Sequence, residues 1–496
     1  MAFTDRLANR GSISTATAFD VDNSCKLEAD NTEYFTRDVA SAGNRDVGTI
    51  SMWIKRTELG TAQYLFTFGN TDSDTGRTFA QFNTDNSLSI EGGSTVWRKT
   101  SRVFRDCAAW MHIVIAFDTT DGTANDMFKL YINGVRETSF ATTNNPSQNA
   151  DLGLNFQKQV IGYNSVDSAS PFCGYIAEVV IQDGVASAPT EFGEFDSDSG
   201  IWKPIDPSGV TFGTNGAYMD FEASGNLGND VNGGTDFTET NIAAADQVTD
   251  TPTNNFCTMM PPQNSDYGTE VNVTNGGLTI SGGAASTQTA HGSIGVRSGK
   301  WYYETTMSVL LDDAGGENHG FGWLGADQFT RLTVGAFPSG GGDTWSRDIG
   351  MWRGWACAGD GNPRHNNSHS GDGYSGTAQE DVVRGCALDM DNGKIWWSLG
   401  GTWLTQDSGV GNPATGAYPS FTNLLSIDVE HRIPAVGNYT QAGVTTEVNF
   451  GCPVYAVFTG VGTNADANGY GSFSYAPPSG FYALCSKNLA EFGGSG

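Results

Sequence analysis

Apolar and polar residues alternate with a period of two through short stretches of this chain, and clusters of Gly, Asn, Asp and Ser separate the stretches. That period places alternate side chains on opposite faces of a strand. The clearest stretch, residues 382–401, reads VVRGCALDMDNGKIWWSLGG. Cys386 and Leu388 alternate with Ala387 and Asp389, and then Ile395, Trp397 and Leu399 alternate with Lys394, Trp396 and Ser398. Between them Asn392-Gly393 offers the left-handed backbone of a tight hairpin. The pattern returns at 110–134, where Ile113, Ile115 and Phe117 share one face, Phe128, Leu130 and Ile132 share another, and Asn133-Gly134 follows. Ile50, Met52 and Ile54 alternate with Ser51 and Trp53. Short strands are predicted at 64–69, 78–82, 87–90 and 159–163. At 172–184 Tyr175, Ala177 and Val179 stand opposite Ile176, Glu178 and Val180, so a central strand covered on both sides is expected. In the second half, strands are predicted at 298–309 and 319–325, and a hairpin turns at Asn275-Gly276-Gly277. No helical period is sustained. The expected fold is all-β: two tandem antiparallel β-sandwiches, each built around one of the two hairpins.

Size and composition agree with that plan. The chain has 496 residues, enough for two or three domains, and its 28 Phe and 12 Trp suffice for real cores. A net charge of −29 argues against nucleic acid and against anionic membranes as partners. Segment 186–262 concentrates the acidity, with twelve carboxylates against Lys203. The eight cysteines show no paired spacing and are expected to be reduced and buried, without a zinc site. The opening MAFTDRLANRGSIS has no apolar core of a signal peptide, and no apolar run is long enough to span a bilayer. Synthesis in a cytoplasm is expected, with no membrane insertion.

The order TISMWIKR, WMHIVIAFDTT, KLYINGV, GYIAEVVIQDG resembles a laminin-G/concanavalin-A-like jelly roll, most of all the variety found in bacteriophage virion proteins. The resemblance continues into FGEFDSDSGIWKPIDPSGVTFGTNGAYMDF and DTPTNNFCTMMPP. From about residue 270, SGKWYYETTMSV, HGFGWLG, Gly385-Cys386-Ala387-Leu388-Asp389, Asn449-Phe450-Gly451 and Pro478-Ser479-Gly480-Phe481 resemble a SPRY domain, itself a concanavalin-like sandwich. The implied plan is an N-terminal arm at 1–20, a first sandwich at 21–185, an acidic connecting segment at 186–262 lying against both sandwiches, and a SPRY-like sandwich at 263–490. The implied protein sits on the exterior of a phage particle, as a tail fibre or another tail or head appendage. It would bind host surface polysaccharide and touch other virion proteins. A homo-oligomer is expected, with a trimer among the options. Decoration of head, neck or tail by packing alone is the alternative, and a depolymerase ranks below both.

The candidate chemistry lies in loops. Trp345, Trp352, Trp355 and Tyr374, interleaved with Asp360 and Asn362, suit a glycan, since indole faces cover sugar C–H surfaces while carboxylates and amides bond hydroxyls. Packing of the same loop offers the other reading of these aromatics. Asp118, Asp121, Asn125 and Asp126 have the density of hard oxygen ligands that calcium takes, and equally the composition of an Asx turn. No catalytic residues are expected. Glu194-Phe195-Asp196-Ser197-Asp198 is the nearest match to an alternating glycosidase carboxylate set, and it lacks the final Glu. On 175–183 Glu178 is the one candidate for such a set. His365 and His369 are expected to be loop histidines, and His112 and His319 packing residues.

Overall fold

A computed structural model describes residues 19–260 apart from 30, 70–75, 156, 165–167 and 198. In the second half it describes 272–281, 288–307, 320–325, 354–358, 361–365, 368–369, 381–406, 409–426, 431–438, 445–452, 458 and 464–493. The chain divides into two compact units between Asn255 and Phe256. The expected N-terminal arm lies almost wholly outside the described residues.

The first unit is a sandwich of two eight-stranded antiparallel sheets. One sheet carries the Met111–Asp118 and Phe128–Ile132 hairpin at one side, then Val47–Arg56, Gly174–Asp183, Ser24–Leu27 and Gln247–Val248. The other runs from Phe140–Thr143 through Thr95–Val103, Ser87–Gly92, Thr78–Phe82, Gln63–Gly69, Lys158–Ile161 and Tyr34–Asp38 to Thr238–Thr240. Between them Ile50, Ile54, Ile113, Ile115, Phe117, Phe66, Phe68, Phe82 and Ile90 form one buried cluster. Removing that apolar area from water is the main force on the fold. The hairpin turn is as the sequence predicts: Asn133 (φ 48°) and Gly134 (φ 77°) are both left-handed.

Two expectations change here. The Gly174–Asp183 strand is buried along its whole length, but its alternation slips. A β-bulge interrupts its pairing with Val47–Arg56 between Ala177 and Val180, and Glu178 takes φ 50°. Beyond the bulge Val179 and Ile181 join Ile176 in the core, while Val180 turns outward. The acidic segment is also not a connector outside the sheets. Its residues up to Asn255 belong to the first unit, and they supply Ala217–Met219, Thr238–Thr240 and Gln247–Val248 to that unit's two sheets. Buried charge fixes them in place. Arg37 donates to Asp230 Oδ2 at 3.1 Å, to Gln159 Oε1 at 2.6 Å and to the Asn215 carbonyl at 2.7 Å. Lys55 Nζ meets Asp250 Oδ2 at 2.8 Å with both side chains out of solvent.

Among the described residues the second unit likewise has two large sheets, of seven and eight strands, antiparallel but for one pairing. The longer sheet contains Arg384–Asp389 and Lys394–Leu399, the hairpin that stands out in the sequence, beside Lys300–Met307. Cys386, Leu388, Ile395 and Trp397 share one face and enter the core with Trp301, Tyr303 and Trp323. The turn takes its left-handed backbone from Gly393 alone, where Asn392-Gly393 was expected to supply it. Residues 390–393 form the loop, with Gly393 (φ 66°) left-handed and Asn392 not. Asp389 closes it instead, accepting from the Asn392 backbone N–H and side-chain amide at 2.9 Å each. The one parallel pairing among the described strands sets Tyr482–Ala483 beside Lys300–Met307. Among the described residues no helix is long and apolar enough to cross a membrane.

Candidate functional site

Of the six residues proposed for a glycan, Trp345, Trp352, Asp360 and Tyr374 lie outside the described residues, as does His319. Trp355 is fully buried. It lies in the Gly354–Ala358 strand, stacks on His365 with centroids 4.5 Å apart and planes 3° apart, and donates to Asn423 Oδ1 at 2.9 Å. Its faces belong to the core, so it cannot serve as a sugar platform. Asn362 is half-buried at the turn between that strand and Pro363–His365. His365 and His369 therefore stand on short paired strands rather than in a loop.

The four calcium candidates do not converge. Asp118 Oδ1 accepts from the backbone and hydroxyl of Thr120, and Asp121 Oδ1 accepts from the Thr123 N–H. Asp126 pairs with Arg136, which holds its carboxyl below the usual range, and Asn125 accepts from Asn145. Each is committed to its own turn, to a cation or, for Asn125, to the Asn145 amide. Among the described residues no group of three or more His, Cys, Asp or Glu is placed to hold a metal ion. The loop is an Asx turn. Glu194 and Asp196 face Lys203, each at 3.2 Å, on an exposed hairpin and not across a cleft.

A Ser–His contact does occur, in the layer that residues 186–255 lay over the first sheet. His112 Nε2 is 2.8 Å from Ser51 Oγ, and its Nδ1 accepts from Trp202 Nε1 at 2.9 Å. The indole can only donate. Nδ1 must therefore be bare, so Nε2 carries the proton and donates it to Ser51. Burial pushes the His112 pKa down to about 3, so the ring is neutral. Trp53 stacks on it at a centroid distance of 4.7 Å, and the Trp202 ring meets its edge with centroids 6.0 Å apart. With its proton already facing the hydroxyl, His112 cannot take one from Ser51. The pair holds the Gly193–Phe195 and Trp202–Pro204 hairpin down.

The second sheet of the first unit presents a different surface. Strand register puts Gln81 opposite Ser89, and Ser89 opposite Lys99. With Asn83, Ser87 and Glu91 they make the outer face, while Ala80, Phe82, Leu88 and Ile90 point into the core. The polar side chains form a ladder. Gln81 Nε2 donates to Glu91 Oε1 at 3.1 Å, and Ser89 Oγ donates to the same oxygen at 2.6 Å. Asn83 Nδ2 donates to Ser87 Oγ at 3.1 Å, and Ser87 Oγ donates to Asp85 Oδ1 at 2.5 Å. Lys99 Nζ closes the row on Asp85 Oδ2 at 2.8 Å and helps hold that carboxyl well below its ordinary range. Tyr64 stacked on Phe79 at 5.0 Å flanks the ladder. Gln81, Asn83, Glu91 and Lys99 are half-buried and Asp85 is exposed. No candidate residue named from the sequence lies on this surface. Its signal was present in TFAQFNTDNSLSIEGG, where amide, hydroxyl and carboxylate residues recur at every second position of two adjacent strands.

Residues 30–190 match a protein family described as the concanavalin A-like lectin/glucanases superfamily. That span holds the polar ladder and most strands of both sheets, and with the two stacked antiparallel sheets it defines a concanavalin-A-like fold. No curated protein matches the chain. Among solved structures, the SPRY domain of human HERC1 is 18% identical, with 37% of this chain and 93% of that chain covered and a TM-score of 0.25. A heptameric SAP-like pentraxin from Limulus polyphemus is 14% identical, covering 34% of this chain and 80% of that one, with a TM-score of 0.26. The CBM40 of Ruminococcus gnavus IT-sialidase, bound to α2,3-sialyllactose, is 17% identical, covering 34% and 95%, with a TM-score of 0.26.

Proposed function

We propose that the protein is a non-catalytic glycan-binding component of the exterior of a bacteriophage particle. The observation that carries the binding role is the polar ladder on the outer face of the first unit's second sheet. Amide, carboxylate and ammonium groups held in register on a rigid sheet can meet the repeated hydroxyls of a saccharide without reorganising. The match of residues 30–190 to a lectin and glucanase superfamily supports the same reading. The blocked Ser51–His112 pair and the Lys203-bound Glu194 and Asp196 support binding without bond cleavage. The phage setting rests on the order of sequence motifs over residues 12–262. Host surface polysaccharide and other virion proteins are the partners in this reading, with the chain as a homo-oligomer.

The test is retention of the purified chain on host envelope fractions, compared with a double variant carrying Gln81→Ala and Glu91→Ala. Retention of the parent and its loss in the variant is expected. Equal retention removes the ladder from the proposal, and no retention of the parent removes the binding role. Packing on other virion subunits is the second reading. Phe195, 52% exposed at the end of its hairpin, favours it, and protection of that residue in intact particles is its measurement.

A further inference from the structure

The ladder spends its amide and hydroxyl donors internally, while the Lys99 ammonium gives one of its three N–H groups to Asp85. The Gln81 amide and the Ser89 hydroxyl both point at Glu91 Oε1. The Asn83 amide goes to the Ser87 carbonyl and hydroxyl, and the Ser87 hydroxyl goes to Asp85. The Lys99 ammonium is drawn onto Asp85. Two acceptors remain without a partner among the described residues: Glu91 Oε2 and Gln81 Oε1. Asp85 offsets the charge of Lys99, whereas no ion pair reaches Glu91 among the described residues. An incoming group therefore meets a half-buried surface with two unfilled acceptors, one of them on the carboxylate at the end of the row.

Resting on the glycan-binding reading above, we infer that this face recognises its ligand through the ligand's own donors, favours sugars bearing a free protonated amine, and rejects uronic, sialic and sulfated sugars. A hydroxyl can donate to Gln81 Oε1 or Glu91 Oε2, so neutral sugars fit. An ammonium fits better, because a charge-assisted hydrogen bond to a carboxylate is stronger than a neutral one. A carboxylate or sulfate brings acceptors to acceptors and adds its charge to that of Glu91.

Three short probes separate these cases: unacetylated glucosamine trisaccharide, its fully N-acetylated counterpart, and galacturonic acid trisaccharide. Calorimetry with the full chain, at a pH where the amines are protonated, gives the affinities. The amine trimer should bind about tenfold more tightly than the acetylated one, the scale of one charge-assisted hydrogen bond. The galacturonate trimer should not bind. Glu91→Gln keeps an acceptor for Gln81 and Ser89 and should reduce the preference to about twofold or less. Glu194→Gln removes the same charge from the exposed hairpin and should leave the preference intact. Equal losses in the two variants, or an unchanged preference in Glu91→Gln, would mean general attraction to an acidic chain and overturn the inference. Tight binding of galacturonate overturns it too. If acetylated and amine trimers bind equally, the inference fails and the glycan-binding reading stands; if none of the three binds, both fail.

Discussion

Replacing Glu178 by Gln should make the first unit more stable, and increasingly so as the pH rises. Glu178 is buried at the bulge of the central strand, and its described partner is the Tyr218 hydroxyl, which donates to Oε2 at 2.7 Å. Burial, aided by the negative charges of Asp220, Glu222 and Asp206, raises its pKa from 4.5 to about 8 against the Tyr218 hydrogen bond. Below pH 4.5 the carboxyl is protonated in folded and unfolded chains alike, and its contribution to stability is fully present. Above that, the unfolded chain ionises while the folded one holds its proton, so stability falls as the pH climbs through about 8. Each pH unit in that window is worth ~1.4 kcal/mol, so the whole gap is at most ~5 kcal/mol. Gln has the same shape, still accepts from Tyr218, and does not ionise. Urea denaturation followed by tryptophan fluorescence at pH 5 and pH 8 measures the difference. Parent and variant should differ by less than ~1 kcal/mol at pH 5 and by several kcal/mol at pH 8. Because every other carboxylate is common to both chains, its titration cancels. A difference that is the same at both pH values would refute the reasoning.

Asp250→Asn should cost ~3–5 kcal/mol, because it leaves the Lys55 ammonium buried without its counter-charge; denaturation midpoints measure it. Trp202→Phe should cost ~1–3 kcal/mol, since His112 Nδ1 loses its donor inside a sealed layer, and proteolytic nicking between residues 193 and 204 should rise with it. Asp118→Ala should cost ~1 kcal/mol through the lost turn hydrogen bonds, and added calcium should leave the melting temperature of the parent unchanged. A calcium-induced rise that Asp118→Ala abolishes would restore the metal reading.

Period-two alternation made the architecture legible. The two sandwiches, the inward faces of both hairpins and the Asn133-Gly134 turn all follow from side-chain spacing and glycine's freedom at positive φ. Spacing could not reveal the bulge at Glu178, because an inserted residue changes the register without changing the composition. Nor could it show that Asp230 and Asp250 are interior residues. Their acidity reads as solvated until Arg37 and Lys55 are brought beside them from some two hundred residues away. The site was misread for a related reason. Aromatic residues attract attention as sugar platforms, yet Trp355 is consumed by packing against His365. The surface with open hydrogen-bonding capacity is built from unremarked Gln, Ser and Glu whose partnership depends on strand pairing.

The late strands at 217–248 have a practical consequence for dissecting the molecule. A lobe cut where the family likeness ends, near residue 190, would surrender one of the two strand partners of Tyr34–Asp38 and of Ser24–Leu27 and strand two buried cations in its interior. Scissors belong after Asn255, and a shorter fragment that precipitates says nothing against the autonomy of the intact lobe.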